Sequence, residues 1–290
     1  MIKNIPKVSI GVPVYNAEKY LRKTLDALVS QSFSNIEIII SDNFSADDSQ
    51  DICLEYSEKD SRIKYFRQTK NIGGWENFKF VLNQSEGEYF MWSAADDLRS
   101  LDFVELNYNF LSLNVDYVAS TCPNKFERGI QEISFGLNDD NVFKRYVQFF
   151  DHCWFSHGIF YSLIRIDTLK ECPLLKEGDV YFGIDWVIDI FLASKGKINL
   201  TDKGHTLFND EEGESKRPDH HKRVRVSYIE NFIPFYKLSF FVVNLTNSLV
   251  LIERIKIINL LIKLNFKVIY DRSRSNLKNL LIYFKLMQVK

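Results

Sequence analysis

The chain has 290 residues, of which 46% are hydrophobic and 26% charged, and its formal net charge is -1. This composition is ordinary for a soluble globular protein, and the length accommodates one large domain or a domain with a substantial appendage. No run of about 18 uninterrupted apolar residues occurs, which argues against a membrane-spanning helix.

The charge is unevenly distributed. From Lys216 onward the sequence has 15 Lys and Arg but only 4 Asp and Glu, so an acidic body precedes a basic tail. The cysteines lack CxxC pairing or zinc-type spacing and are predicted to be buried, reduced thiols: Cys53, Cys122, Cys153 and Cys172. The first seven residues lack the apolar segment of a signal peptide, so we expect a cytoplasmic protein.

Strands and helices alternate over the first hundred residues. Apolar runs predict the strands, and apolar residues at helical spacing predict the helices between them. The predicted strands are 8–16, 36–40, 63–67 and 89–92, and the predicted helices are 17–31, 47–60 and 75–84, the second capped by Ser45 or Asp47. This order predicts an α/β fold with a mostly parallel central sheet, right-handed crossovers and flanking helices.

Polar or acidic residues stand at the C-terminal ends of three of these strands. They are Tyr15 and Asn16 at the first, Asp42 and Asn43 at the second, and Asp96 and Asp97 at the fourth. Because the C-termini of parallel strands lie along one sheet edge, where ligands bind in open α/β folds, these side chains are expected to converge. Two adjacent carboxylates on a rigid strand end suit Mg²⁺ or Mn²⁺, and the alternative is a surface turn with two solvated aspartates.

With these residues, the chain resembles a family-two glycosyltransferase with the nucleotide-sugar-binding GT-A fold, from Val8 to about Ala193. The resemblance implies that the first strand's loop lines the nucleotide base and that Asp42 accepts the base's imino hydrogen bond. It further implies that Asp96 ligates the cation and that Asp102 begins the next helix. The donor-site residues implied in addition to Asp42 are Pro13, Tyr15, Asn16, Asn71, Gly73, Asn77 and Asp97.

The sequence departs from the family at one position. Ala94 occupies the first acidic position of the family's Asp-x-Asp-Asp element. The family's metal ligand is the later aspartate, so Asp96 keeps that predicted role. The lost carboxylate lowers the negative charge near the cation, and we expect weaker metal affinity or reduced metal dependence.

The second half is expected to serve the acceptor. In the family a carboxylate at the start of a helix is the catalytic base, and Asp185, near the start of the predicted helix 180–192, matches it. Asp179 is the fallback, and the alternative is that Asp185 only favours a helix N-terminus. Residues 154–161 resemble the acceptor-side strand, in which Trp154 and His157 either line the acceptor pocket or are partly buried packing residues.

Other charged residues have two interpretations. Arg99 and Arg165 could contact phosphates, although a solvated or salt-bridged arginine is the simpler expectation. Asp210 or Glu211 stands where relatives place a histidine and could ligate the cation, or it belongs to an exposed acidic loop. We expect the segment up to Arg225 to close over the donor as a lid.

Residues 226–290 have a basic amphipathic helical pattern. This region either contacts an anionic membrane surface beside a lipid-linked acceptor, or packs against the catalytic domain or a second subunit. The predicted domains are thus a glycosyltransferase domain, 1–225, with a nucleotide-binding half (1–102) and an acceptor-side half (103–225), and the C-terminal region 226–290. No nucleic-acid-binding module is recognisable.

The sequence therefore predicts a metal-dependent enzyme that transfers a sugar from a nucleoside diphosphate sugar, expected to be a UDP-sugar, to a hydroxyl of a glycan or lipid-linked acceptor. Asp185 as base implies single displacement with inversion. Family analogy suggests bacterial surface polysaccharide assembly, at the inner face of the membrane, and the chain could form a homo-oligomer. The alternatives are a catalytically degenerate nucleotide-sugar-binding scaffold, suggested by Ala94, and a nucleotidyltransferase, whose glycine-rich phosphate loop is absent from 12–16.

Overall fold

The structure is a computed structural model, and it describes residues 6–126, 133–176, 183–209 and 228–287. The chain divides into two compact units, one comprising Met1–Gly178 and Ile188–Arg217, the other Asp179–Val187 and Pro218–Lys290. The domain boundaries predicted from the sequence stay predictions.

The strands all belong to the first unit: β1 Val8–Val14, β2 Ile36–Asp42, β3 Ile63–Arg67, β4 Tyr89–Trp92, β5 Leu98–Arg99, β6 Tyr117–Thr121, β7 Asn124–Phe126, β8 Leu163–Arg165, β9 Lys197–Leu200 and β10 Thr206–Phe208. The helices are α1 Glu18–Val29, α2 Ser49–Lys59, α3 Gly74–Asn83, α4 Phe103–Leu113, α5 Val142–His152, α6 His157–Phe160, α7 Ile166–Lys170, α8 Pro173–Lys176, α9 Ile184–Lys195, α10 Tyr236–Leu245 and α11 Leu251–Met287. Short 3-10 helices occur at Cys153–Phe155, Tyr228–Asn231 and Thr246–Ser248.

A seven-stranded sheet forms the centre of the first unit, with strand order β3-β2-β1-β4-β8-β6-β9. Adjacent strands are parallel except for β8, which runs antiparallel to β4 and β6. Every residue of β2 and β4 is buried, because helices cover both faces, and this explains why their sequences are almost continuously apolar. The predicted α/β fold with a mostly parallel sheet is therefore confirmed.

A smaller sheet of three strands, in the order β5-β10-β7, lies in the same unit. Its middle strand β10 is antiparallel to β5 and parallel to β7. Since β5 comes immediately after the Asp96-Asp97 pair, this sheet holds the chain in place directly beyond those carboxylates.

Two local predictions are wrong. The N-cap residue of α2 is Asp48, and the side chain of Ser45 accepts the backbone N–H of Asn16 (2.9 Å) rather than one of the helix. Asp47 lies one residue before the cap, but its Oδ1 accepts the N–H of Ser49, the first residue of α2 (3.1 Å), while its Oδ2 accepts that of Glu18 (3.1 Å). Residues 154–161 form the end of a 3-10 helix and α6 rather than a strand. Their aromatic content favours a strand, but the residues they bury, Cys153, Ser156, Ile159 and Phe160, recur at helical spacing.

In the second unit α10 and α11 pack against each other. Asn265 of α11 fastens this pair, because its Oδ1 accepts the backbone N–H of Phe235 (2.8 Å) and its Nδ2 donates to Ser239 Oγ (3.1 Å). The ring of Phe235 also stacks on Trp186 of α9, with centroids 5.1 Å apart. Within the described residues, no helix is both long enough and apolar enough to cross a membrane.

Candidate active site

The C-terminal ends of three parallel strands lie side by side at one edge of the large sheet. Val14 of β1 pairs with Asp42 of β2, and Asp42 pairs with Arg67 of β3, so the three strands end in register. Next to them, Ser93 continues β4 and donates its backbone N–H to Gly11 O of β1 (2.9 Å). The strand ends from which the predicted donor-site residues extend are thus neighbours.

The loop after β1 is tied to the loop after β2. Asn16 adopts a left-handed backbone conformation (φ 49°), which asparagine tolerates better than most residues. Its Oδ1 accepts the N–H of Ala46 and its own N–H donates to Ser45 Oγ, both at 2.9 Å. Pro13 is half-buried, whereas Tyr15 is 51% exposed, so its ring is available to a ligand at this edge.

Asp42 is wholly buried at the end of β2. Its Oδ1 accepts the backbone N–H of Ser45 (2.9 Å), and its Oδ2 accepts a hydrogen bond from Arg67 Nη1 (2.7 Å) within an ion pair. The guanidinium of Arg67 also lies 5.5 Å from the ring centroid of Phe44, which has φ 65° and is half exposed. The predicted bond from Asp42 to a base would be additional to these contacts, and it stays a prediction.

The loop before α3 is joined to the same edge through amide side chains. Asn71 Oδ1 accepts the N–H of Gly73 (2.9 Å) and an Nδ2–H of Asn43 (3.0 Å), while Asn43 Oδ1 accepts the N–H of Ile72 (2.8 Å). Gly73 has φ 91° and ψ 154°, a region almost restricted to glycine. The sequence elements predicted to contact the donor therefore support one another.

Asn77 is buried inside α3 and bonds to β2. Its Nδ2 donates to Ser41 O (2.9 Å) and its Oδ1 accepts from Ser41 Oγ (2.6 Å). These contacts hold α3 against the end of β2, and a direct contact of Asn77 with the donor stays a prediction.

Trp92 fixes the end of β4. Its buried ring stacks on Phe160 with centroids 4.8 Å apart, and its Nε1–H donates to Phe78 O (3.0 Å). Beyond it, Ala95 is buried and its carbonyl accepts from Thr24 Oγ1 (3.0 Å). The turn that presents the two aspartates is thus held on both sides, and little space remains for a larger residue at position 95.

The Asp96-Asp97 pair differs from the alternative of two solvated aspartates. Asp97 is 5% exposed, its Oδ1 accepts the N–H of Asn209 (3.3 Å), and Asp96 is half-buried. Burial raises the pKa of Asp97 to about 7, although nearby Arg99 opposes the rise, and burial also raises the pKa of Asp96. Neither carboxylate forms an ion pair with another described residue.

These two carboxylates fit a divalent cation. Desolvated carboxylates without a paired cation favour a bound one, and Mg²⁺ typically takes one or two protein carboxylates together with substrate phosphates. Across 6–126, 133–176, 183–209 and 228–287, no group of three or more His, Cys, Asp or Glu side chains could hold a metal ion. Two carboxylates are the number that Mg²⁺ typically takes from a protein when substrate phosphates complete its coordination, and a cation at this pair stays a prediction.

The two arginines do not match the simple expectation of solvated or salt-bridged side chains. Arg99 is 4% exposed and lies between the rings of Phe103 and Tyr161, at 5.3 and 5.7 Å. Arg165 donates to the carbonyls of Tyr117, Leu111 and Asn114, and to Tyr89 Oη. Arg165 therefore joins β8 to its neighbours, and a local sequence pattern could not reveal this because its partners are about 50 to 75 residues away.

The predicted catalytic base Asp185 lies in the first turn of α9, which begins at Ile184 where the sequence predicted a helix over 180–192. Its role as base stays a prediction. The fallback base Asp179 and the candidate ligands Asp210 and Glu211 lie outside the described residues. Trp154 is 38% exposed, and the exposed His157 has its ring centroid 6.1 Å from that of Phe208. Their contact with the acceptor stays a prediction.

Sequence reasoning placed Asn43 at this edge but missed two further residues, Phe44 and Arg67. Phe44 follows β2 closely and Arg67 is the last residue of β3, so position at a strand end was the signal that could have identified them. Their interactions across the strands could not be inferred, because they depend on register.

Comparisons with known proteins agree with this geometry. The family described as "Glycosyl transferase family 2" matches residues 9–163, which is more than half of the chain. Glycosyltransferase GlyA of Streptococcus pneumoniae is 42% identical over 120 residues, 41% of this chain and 17% of that protein. An uncharacterised glycosyltransferase of Rickettsia conorii is 29% identical over 205 residues, 70% of this chain and 32% of that protein. The chain thus spans a minor part of the curated relatives it matches.

Solved structures show the same fold. Staphylococcus aureus TarS in complex with UDP-GlcNAc aligns with a TM-score of 0.69 and 20% identity, over 87% of this chain and 70% of that one. The mannosyltransferase PcManGT from Pyrobaculum calidifontis, in complex with GDP-Man and Mn²⁺, aligns with a TM-score of 0.51 and 15% identity, over 89% and 73%. At these identities the likeness establishes the fold alone.

Proposed function

Because this chain belongs to glycosyl transferase family 2, we propose that it transfers a sugar from a UDP-sugar to a hydroxyl of a glycan or lipid-linked acceptor. One observation supports this above all others. Strands β1, β2 and β3 end in register beside the turn that holds Asp96 and Asp97, two carboxylates that are partly or wholly removed from solvent and form no ion pair with another described residue. The complexes of TarS with UDP-GlcNAc and of PcManGT with GDP-Man support this class of donor.

In the proposed reaction, Tyr15, Asn16 and the Asp42–Arg67 pair form the nucleotide side of the site, with Pro13, Asn71, Gly73 and Asn77 shaping it. Asp96 would hold Mn²⁺ or Mg²⁺, with Asp97 beside it. Bound there, the cation would neutralise charge on the diphosphate leaving group. With Ala94 in place of a carboxylate, the affinity for the cation is expected to be lower than in relatives that keep one.

Asp185 is the proposed general base. A carboxylate in the first turn of a helix is favoured in its ionised form by the helix dipole, and an ionised carboxylate can accept the proton of the acceptor hydroxyl. Direct attack by that hydroxyl displaces the nucleotide once, so the product is expected to have inverted anomeric configuration. Bacterial surface polysaccharide assembly is the proposed setting.

Donor binding is tested by thermal shift with UDP, GDP and their sugars, each with Mn²⁺ or with EDTA, since a bound ligand stabilises the fold. We expect a UDP-dependent shift that needs the cation and disappears in Asp96→Ala. Asp51→Ala, which removes an exposed carboxylate of α2, is the matched control and should retain the shift. Metal-independent UDP binding in Asp96→Ala would contradict the metal role.

Catalysis is tested separately by release of UDP from UDP-sugars. Asp185→Asn should lose transfer while keeping the donor-induced thermal shift, because the base does not bind the nucleotide. Normal turnover in this variant would exclude Asp185 as base. Donor binding by the unaltered chain without any sugar transfer or hydrolysis would favour the degenerate scaffold.

A further inference from the structure

The second unit contains a groove of about 490 Å³ between α10 and α11. Its lining is apolar apart from two residues, Ser239 and Asn265, which are hydrogen-bonded to each other. Asn265 also donates to Leu261 O (2.9 Å), so these polar groups already have partners within the unit. The groove therefore offers hydrocarbon surface rather than hydrogen-bonding specificity to a ligand.

The residues around the groove extend it into a large exposed apolar surface. Phe240 of α10 is 64% exposed, and on α11 Ile262 is 46% and Phe266 66% exposed. Further apolar residues exposed by 37% or more in this unit are Tyr228, Ile229, Phe232, Ile233, Tyr236, Val250, Leu251, Ile252, Ile255, Ile258 and Tyr270. Seven of these exposed apolar residues, Phe232, Ile233, Tyr236, Phe240, Ile258, Ile262 and Phe266, line the groove itself, and an exposed apolar cluster of this kind marks a binding interface.

Helix α11 has three distinct faces. At about 100° per residue, the buried residues Ile257, Leu261, Leu264 and Val268 fall on one side. The exposed apolar residues Leu251, Ile255, Ile258, Ile262 and Phe266 form a second stripe. The exposed lysines Lys256, Lys263 and Lys267 form a row about 120° from the centre of that stripe, on the side away from Ile258.

This combination matches an anionic bilayer. A helix whose apolar stripe borders a row of lysines lies in the interface plane, with the apolar residues inserted by about 5–10 Å and the ammonium groups beside the headgroups. Glu253 and Asp271, the only acidic residues in the described side chains of α11, lie about 180° from the centre of the apolar stripe. Both the apolar and the basic components therefore face the same partner.

A second copy of the chain is a poorer partner for this surface. The exposed row Lys256, Lys263 and Lys267 borders its apolar stripe. A two-fold interface would bring this row of one subunit close to the same row of the other, because the same patch is used on both subunits. Like charges would then approach each other, whereas an anionic lipid surface attracts them.

We infer that the exposed face of α10 and α11 docks on the surface of a bilayer containing anionic lipid, through the apolar stripe and the row Lys256, Lys263 and Lys267. This attachment does not rest on the proposed sugar chemistry, and a donor-binding assay in solution fails or succeeds independently of it.

The full-length chain is tested by co-sedimentation with vesicles of phosphatidylcholine alone or with about 30% phosphatidylglycerol. We expect binding to the anionic vesicles that weakens with salt. Replacing the three lysines by Gln should lower the partition coefficient about fivefold for each lysine. Phe240→Ser with Phe266→Ser should lower it at least tenfold, and both side chains are exposed enough for the fold to be retained.

Matched controls lie in the first unit. One control replaces three exposed lysines by Gln, namely Lys23, Lys59 and Lys144, and the other combines the exposed positions Leu113→Ser and Val115→Ser. Both controls should bind vesicles as the wild type does. The inference is overturned if the wild-type chain stays in the supernatant, or if controls and α10–α11 variants lose binding equally. It is also overturned if sedimentation velocity shows a dimer that Phe240→Ser with Phe266→Ser dissociates while vesicles remain unbound.

Discussion

Phe44 occupies a backbone conformation that its side chain disfavours. A left-handed φ costs a non-glycine residue about 1–2 kcal/mol, less for asparagine, and such strain tends to persist at functional sites. The half-exposed ring lies against Arg67, whose guanidinium pairs with Asp42, so the strain places an aromatic ring at the proposed nucleotide side. Phe44→Asn should therefore raise the free energy of unfolding by up to about 1 kcal/mol and weaken UDP binding, measured by urea denaturation and calorimetric titration.

A matched variant separates the two effects of this residue. Phe44→Leu removes the ring but keeps a side chain that disfavours positive φ, so it should weaken UDP binding without the gain in stability. If Phe44→Asn were less stable than the wild type, the backbone at position 44 would not be strained. If it bound UDP as well as the wild type does, the ring would have no role in nucleotide binding.

Glu37 occupies a buried position near the opposite ends of the strands. Its Oε1 accepts from Ser9 Oγ and from the N–H of Glu86 (2.8 Å), and its Oε2 pairs with Lys64 (2.7 Å). Glu37→Ala leaves these donors unpaired and should cost about 3 kcal/mol in urea unfolding. Glu37→Gln keeps one acceptor oxygen and loses mainly a pair to a partly exposed lysine, so it should cost about 1 kcal/mol. UDP affinity should change in neither variant, and equal destabilisation by both would contradict this account.

At the scale of elements, the loop between β3 and α3 depends on one glycine. Gly73 has φ 91° and ψ 154°, and no atom lies within 4 Å of where its Cβ would be, so Gly73→Ala isolates backbone strain from steric clash. We expect a loss of about 1–3 kcal/mol in denaturant unfolding, together with weaker UDP binding, because Asn71 and Asn43 bond to this loop. Gly74 also has open space around its Cβ and has no positive φ, so Gly74→Ala should cost less than about 0.5 kcal/mol. Equal effects of the two alanines would show that the positive φ is not what the loop requires.

The elements that could be predicted are those whose own residues show a clear apolar pattern. The strands at 36–42 and 89–92 are almost continuously apolar because both of their faces are covered, and the polar residues at their C-terminal ends mark the site. The antiparallel β8 was not foreseen, because three residues, Leu163–Arg165, contain no periodicity. Arg99 was expected near solvent because arginine usually is, and its burial depends on Phe103 and Tyr161, which only the folded chain brings to it.

At the scale of the molecule, the uneven charge of the chain separates two proposed tasks. The acidic part contains the buried carboxylates that fit a cation, and the basic part contains the α10–α11 surface that fits an anionic bilayer. The sequence predicted the amphipathic character of the C-terminal region but could not assign its faces. The three-way division of α11 became visible only once burial distinguished the side packed inside the protein from the exposed apolar stripe.

The reactivity of the four cysteine thiols reports whether the first unit is closed, because each cysteine is at most 1% exposed there. Burial raises the pKa of Cys53 to about 12 and that of Cys172 to about 11, so at pH 8 the native protein has far less of the reactive thiolate than an unfolded chain. Reaction with a thiol reagent should therefore be slow until the unit opens, and fast for all four thiols in denaturant. If UDP with Mn²⁺ binds the closed unit, a concentration of about nine times Kd should slow the native reaction about tenfold. Two results would contradict this account. One is a thiol that reacts rapidly in the native protein, and the other is a reaction rate that does not change with a saturating ligand that raises the melting temperature. Either result would show that the thiols become accessible through local openings that leave the nucleotide site intact.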